Sequence, residues 1–551
     1  VTVRRALCLA LAFLAALPAA AQFGERIEVH LISIYATAYD GKGNQIRGLT
    51  KDDFEVLEDG RVQTITHFVE MQGRTPVQMF AMGEVVQPKP DEPLPPRTQE
   101  LLAEKYIFYI DNLNIDPIQR NQMMDKLEAF IQERFTGTAQ GMVVTFDRKL
   151  NLRTPFTTDA AVLLQALDEV KMLSGEAAAR RQSKVDVIDR LQEEGMTFNQ
   201  AVAIVSGYAQ EVRHETTVTL KVLQDFLLVL SGVTGRKSLV YVCSGLPQVP
   251  GMELYDYLRT MYPDKNNMIF TSNNDLTPTF KGVINTANAS GVSFFTLDVS
   301  GLRSLGGQGI AENKTQAYEL STTLEAHNLT DMLSTMAEET GGVPIINSND
   351  FAKGLRKVGA ALDNYYFLGY QRNRALEDRI HTLEVRLKGK KAYQVNYRRG
   401  FMDKSLESAS SDALISALVL PVVENPHRAR VEFAPPRRLQ KEAFALPVSV
   451  IVPFDSITLL PQGGSWVGEL RFGFVSQDES GERSEVTWKT HPFSIPDAAW
   501  KGLKGKEFTY KAELAILPGA SVVAVAVVNP TDSLQSIVME KVVISTKGRP
   551  Q

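Results

Sequence analysis

The run YIFYID, Tyr106 to Asp111, ends an apolar stretch on a carboxylate, and a helical pattern opens shortly afterwards at Pro117. An acid at the carboxyl end of a buried strand, one loop ahead of a helix, is where α/β folds place ligands and divalent ions. Mg²⁺ takes six hard oxygens in an octahedron, drawn from carboxylates, hydroxyls and water. Asn112, Asn114 and Asp116 add side-chain oxygens to the same loop, and Ser244 ends a second apolar run, VYVCS. Without an ion, Asp111 is expected to cap the following helix or to accept loop N–H groups. Other chemistry is hard to find. The sequence has no HExxH, no Walker loop and no Gly-x-Ser-x-Gly, and its 7 histidines are scattered from His30 to His491. Ser244 precedes a glycine but lacks a nucleophile elbow and a nearby histidine, so the chain reads as a non-enzyme.

The elements that must position Asp111 belong to a long chain. Its 551 residues imply about three or four domains. With 44% apolar and 22% charged residues, the composition is that of a globular protein. A net charge of −5 and the lack of a basic run argue against nucleic-acid binding. Residues 1–21 carry Arg4 and Arg5, a short apolar core and the small residues Ala19, Ala20 and Ala21, which is the pattern of a secretory signal. Export to the periplasm or beyond is therefore expected. Cys243 is then the sole cysteine, so no internal disulfide forms, and its apolar strand marks it as a buried thiol. No later segment reaches membrane-spanning length. ASVVAVAVV near the C-terminus suits a strand.

Residues 22–86 carry strand and turn signals, including the Asp59-Gly60 turn, and 87–100 is a proline-dense linker. From 101 to 363 short apolar runs alternate with helical patterns, which predicts a parallel sheet covered on both faces. Its expected strands are YIFYID, GMVVTFD, KSLVYVCSG, VSFFTLDVS and VPIIN. A helical insertion is expected at about 175–215, and the apolar spacing from Thr197 to about Ser231 reads either as one continuous helix of about 50 Å or as two pieces broken at ETTVT. Residues 364–403 are again strand-like, and 404–551 read as a C-terminal β-sandwich containing Trp466, Trp488 and Trp500 as packing residues. The strands of 26–70 and 365–402 flank the α/β region, and neither set makes a comfortable sandwich alone. They are expected to pair into one sandwich with the α/β domain inserted.

GLTKDDFEVLEDGRVQTITHF, YIFYIDNLNID, GRKSLVYVCSGLP, NTANASGVSFFTLDVSGL, LSTMAEETGGVPIINSND and NYYFLGY…VNYRRGF occur in this order over about residues 26–402. Together they resemble the von Willebrand factor A-related domain proteins of the acidobacterial type. The resemblance implies an exported protein with a doubly wound A-like domain. It also implies a Mg²⁺ site of Asp-x-Ser-x-Ser after the first strand, a Thr from a second loop and an Asp after the fourth strand. Here Asp111 takes the first position, Leu113 and Ile115 replace the serines, and Ser244 stands where the second acid is expected. Thr216 or Thr217 is the candidate for the threonine. With those donors missing, neither Mg²⁺ nor any other cofactor is expected, and Asp111 is the one weak metal candidate.

The expected function is recognition of another protein. The contact surface is the remnant edge with Asp111, Asn112, Asn114 and Ser244, the segment after Asp147, and the 245–256 and 301–315 loops. The alternative is a structural or assembly component of a cell-envelope complex. If the ion site is lost, millimolar Mg²⁺ leaves the melting temperature unchanged; a saturable rise contradicts this reading.

Overall fold

The computed structural model describes residues 30–545 except 82–83, 87–101, 176, 269–273, 302–315, 373–375, 390–391, 421–423 and 441–442. The signal segment 1–21, the linker 87–100 and nearly all of the 301–315 loop lie outside the described residues.

The α/β domain is a five-stranded sheet of β1 (Glu104–Asp111), β2 (Gln140–Phe146), β3 (Leu150–Thr157), β4 (Arg236–Cys243) and β5 (Val292–Asp298). Its order is β5-β4-β1-β2-β3, and every pairing is parallel except β2 with β3. Apolar residues cover both sides of these strands, so a helix layer must pack on each face. One layer holds α1 (Pro117–Arg134), α2 (Ala160–Lys171) and α8 (Phe351–Asp363), through residues such as Met124, Leu127, Leu167 and Val358. The second layer is built by the C-terminal half of α4 (Phe198–Leu230), α6 (Thr277–Ala289) and α7 (Gln316–Glu339).

Two local expectations need correction. The segment after Asp147 is not a loop but the edge strand β3. Pro155 is tolerated there because an edge strand pairs on one side only. VPIIN is not a full strand: it makes a single parallel bridge, Leu297 to Ile345. The chain is pressed against β5 just before it, where a Cβ on Gly342 would lie 1.7 Å from the Phe294 carbonyl oxygen. Of the two readings open for α4, the continuous one holds: it runs unbroken for 33 residues, about 50 Å. Thr216, Thr217 and Thr219 donate their hydroxyls to the carbonyls of Val212, Arg213 and Glu215, so these poor helix formers are satisfied inside the helix.

The N-terminal half of α4 extends past the sheet. Ala201, Val205 and Ala209 pack there against Val187, Ile188 and Leu191 of α3 (Ala177–Leu191) and Leu254, Tyr255 and Leu258 of α5 (Met252–Met261). Among the described residues no helix is long and apolar enough to cross a membrane.

Strands from both sides of the α/β domain share two sheets. His30–Tyr39 pairs antiparallel with Tyr365–Arg372, which pairs in turn with Ile65–Gln72. Ile380–Leu387 pairs with Phe54–Glu58 in the second sheet. Ile34, Phe54, Val56, Phe68, Leu368, Leu383 and Val385 form the core common to the two sheets.

The C-terminal region packs two further sheets on Phe444, Val450, Leu470, Phe472, Val525 and their neighbours. Trp466 and Trp500 stack at 5.3 Å beside this core. The β reading of this region missed α9 (Leu406–Val419). Its small buried residues Ala413 and Ala417 let it lie close on Val475, Ala524 and Ala526, and Trp488 Nε1 donates to Ser411 Oγ at 2.9 Å. On its other side Ser416 Oγ donates to the Val229 carbonyl of α4, so one helix joins the sandwich to the α/β domain.

Gly342→Ala forces a methyl group into a backbone carbonyl, which cannot rotate away. The substitution is expected to destabilise the chain by about 3 kcal/mol or more, read as a lowered urea midpoint.

Candidate functional site at the carboxyl edge of the sheet

Asp111 lies at the end of the central strand and is fully buried. Its side chain caps the short helical turn Asn112–Asn114, taking the Asn114 N–H at 3.3 Å and the Asn114 Nδ2 at 2.7 Å. From the adjacent strand β4, the Tyr241 hydroxyl donates to Asp111 Oδ2 at 2.8 Å. Burial pushes the carboxyl above its ordinary value, and the bonds from Asn114 and Tyr241 only partly offset this. The Tyr241 hydroxyl is driven well above its usual range by burial and by the neighbouring carboxylate.

Asn112 is also a buried structural residue. Its Nδ2 donates to the Ser174 carbonyl at 2.8 Å, and its Oδ1 accepts from Arg120 Nη1 at 2.5 Å. Arg120, fully buried on α1, donates from Nη2 to the carbonyls of Lys171 and Leu173 at 3.0 and 2.8 Å. Asp116 caps α1 by accepting the Ile118 N–H at 2.9 Å.

Over this loop lies α3, whose basic residues face the edge. Arg180 donates to Asn114 Oδ1 and lies 2.9 Å from Glu215 of α4. Arg181 reaches Asp116 at 2.6 Å, and Lys184 sits between Glu253 at 3.3 Å and Glu325 at 2.5 Å. Burial works against the Lys184 charge, but the two glutamates outweigh it and hold the ammonium above its usual range. The Glu253 carboxyl is pushed up by burial, an effect that Lys184 opposes.

These residues do not fit a Mg²⁺ donor set. Leu113 and Ile115 are buried hydrocarbon, Asp111 is engaged by Asn114 and Tyr241, and the Thr216 and Thr217 hydroxyls are used within α4. Asp111, Asn112 and Asn114 are brought together, but as one internal network in which Asn112 has no side-chain atom left to offer a ligand. Ser244 follows β4 at the same edge and is half-buried. The 245–256 segment is pinned: the N–H groups of Leu246 and Gln248 donate to the carbonyls of Leu329 and Asn328, and Asn328 clamps Val249 at 2.7 and 2.9 Å. Arg120, Arg180, Lys184 and Tyr241 were not legible as site residues. The one signal was the basic run Arg180-Arg181…Lys184, in which the nearest acid that follows is Asp186.

No family model matches the sequence, and no curated protein matches it. Several solved structures are similar at low identity. An aerotolerance-related membrane protein from Bacteroides fragilis is 11% identical over 47% of this chain and 98% of its own, with a TM-score of 0.22. The pilus adhesin SpaC from Lactobacillus rhamnosus GG, in its open conformation, is 8% identical over 91% and 70%, with a TM-score of 0.27. A von Willebrand factor type A structure from Catenulispora acidiphila is 9% identical over 92% and 73%, with a TM-score of 0.22. At such scores these likenesses carry no argument, and what the strand order and helix layers of this chain show is a doubly wound α/β domain.

Because the folded Asp111 carboxyl titrates above 3.8, the native state holds its proton more tightly than the unfolded chain does. The stability Asp111 contributes is therefore full below that value and lost as pH rises through the raised one. Asp111→Asn removes this titration. Urea unfolding at rising pH is expected to show the variant gaining on the native chain; a flat or opposite difference contradicts the assignment.

Proposed function

We propose that this chain is an exported, non-enzymatic recognition protein whose A-like domain contacts another protein at the carboxyl edge of its sheet without a bridging ion. The observation that carries the reading is a pair of exposed apolar side chains beside the closed Asp111 network. Met172 is 86% exposed and Ile118 71%, the two highest values for large apolar residues among those described. The Arg120 junction ties the start of α1, which carries Ile118, to the carbonyls on either side of Met172, so the two segments that bear these side chains are joined. Two large apolar groups held in water on a rigid frame favour a protein partner, whose binding would remove them from solvent. Asp116 and Arg181 add a polar rim next to them. With the ion's donors replaced by hydrocarbon, contact passes to these side chains.

Capture of a single stoichiometric partner from the native envelope supports recognition. Co-fractionation with a multi-protein complex supports the alternative of an assembly component. Ile118→Glu combined with Met172→Glu is expected to weaken capture about tenfold or more and to leave the melting temperature nearly unchanged. Retention of full capture by the double variant places the surface elsewhere.

A further inference from the structure

A second constellation lies outside the A-like domain, in the sheet shared by its two flanks. Glu58 ends the strand Phe54–Glu58, Asp59 opens the following turn, and His381 stands on the paired strand Ile380–Leu387. One ligand atom from each residue lies within 4.8 Å of the other two. His381 Nδ1 is 2.7 Å from Asp59 Oδ2 and 3.4 Å from Glu58 Oε1. Ligand atoms of a tetrahedral zinc centre lie about 3.3 Å apart, so small side-chain shifts would open this triangle to an ion.

Each of the three is held by the atom that faces away from the others. Tyr370 donates its hydroxyl to Glu58 Oε2 at 2.7 Å, which turns Oε1 inward. Thr382 donates its N–H and hydroxyl to Asp59 Oδ1 at 2.9 and 3.1 Å, which leaves Oδ2 toward the ring. His381 Nε2 lies 3.1 Å from both Asp403 Oδ2 and Arg372 Nη2, and Phe401 stacks on the imidazole at 5.2 Å. In the tautomer whose Nε2–H donates to Asp403, Nδ1 is presented as a lone pair, which is how metal-binding histidines are oriented, and Arg372 keeps its own bond to Asp403 through Nη1. Asp59 adopts a left-handed φ of 48°, a conformation that costs energy outside glycine and keeps its carboxylate over the ring.

Charge points the same way. Of the three carboxylates around His381, Asp403 and Glu58 face the guanidinium of Arg372, at 2.5 and 3.7 Å, and Asp59 faces the imidazole. With a neutral imidazole the group carries two uncompensated negative charges. The side chains of Glu58 and His381 are 2% and 0% exposed, whereas Asp59 is 40% exposed and gives access from solvent. We propose that Glu58, Asp59 and His381 bind one divalent transition-metal ion of the zinc type, with a fourth position open to water on the Asp59 side. The mixed nitrogen and carboxylate set favours Zn²⁺ over Mg²⁺. Asp59 and His381 are 322 residues apart, so the ion would clamp together the strands that bracket the A-like domain.

The test is zinc titration of the untagged full chain after treatment with a chelator and dialysis, read by calorimetry and by thermal shift. One Zn²⁺ per chain with a saturable rise in melting temperature is expected, and no response to Mg²⁺. Asp59→Asn keeps a turn residue that tolerates positive φ, and it is expected to weaken zinc binding at least tenfold while remaining folded by circular dichroism. His381→Gln is expected to abolish binding, and the Asp59 variant decides the matter if His381→Gln fails to fold. A folded native chain that takes up no zinc overturns the proposal, and so does an Asp59→Asn variant with unchanged affinity and stoichiometry.

Discussion

The structure depends on one long-range pairing. His30–Tyr39 lies antiparallel to Tyr365–Arg372, with Ile34 opposite Leu368, and the whole α/β domain is closed between them. Bringing such distant strands together carries a loop-closure cost that no local contact offsets. The return comes from the shared core, where Ile34, Phe54, Phe68, Leu368 and Val385 leave water together. The same closure sets Glu58 and Asp59 against His381.

At the carboxyl edge of the α/β sheet the constraint is electrostatic. A buried carboxylate is costly unless it is hydrogen-bonded, and Asp111 meets that demand with Asn114 and Tyr241. Arg180, anchored to Glu215 of α4, places its cation on the same loop through Asn114. Arg120 does comparable work behind Asn112 by filling three acceptors with one planar fork. Asp111, Asn112 and Asn114 are thereby engaged inside the protein. The outward-facing chemistry of the edge is left to Ile118 and Met172, together with the Asp116–Arg181 rim.

The third region is joined as well. α9 belongs to two cores at once, with Leu414 buried against the sandwich and Ser416 bonded to α4. Its alanines and serines are weak signals in a stretch otherwise read as strands, yet only small side chains allow a helix to sit this close to a sheet.

The sequence by itself determined the elements whose cause is local. Pro117 behind the Asp116 cap starts α1 wherever the chain goes, and YIFYID buries on both faces whatever its neighbours are. That Leu113 and Ile115 offer no donor was equally legible, because a hydrocarbon cannot coordinate an ion in any fold. Tertiary structure decided the rest. ETTVT leaves a break open because its residues are poor helix formers, and packing on both sides of α4 with the hydroxyl bonds to i−4 carbonyls keeps the helix whole. VPIIN reads as a strand and is reduced to one bridge, since Gly342 presses the chain onto Phe294. The partners of Asp111 and of His381 come from β4, from α3 by way of Asn114, and from beyond the inserted domain. A side chain's partner across space depends on where the whole chain closes, and periodicity along the chain carries no record of that.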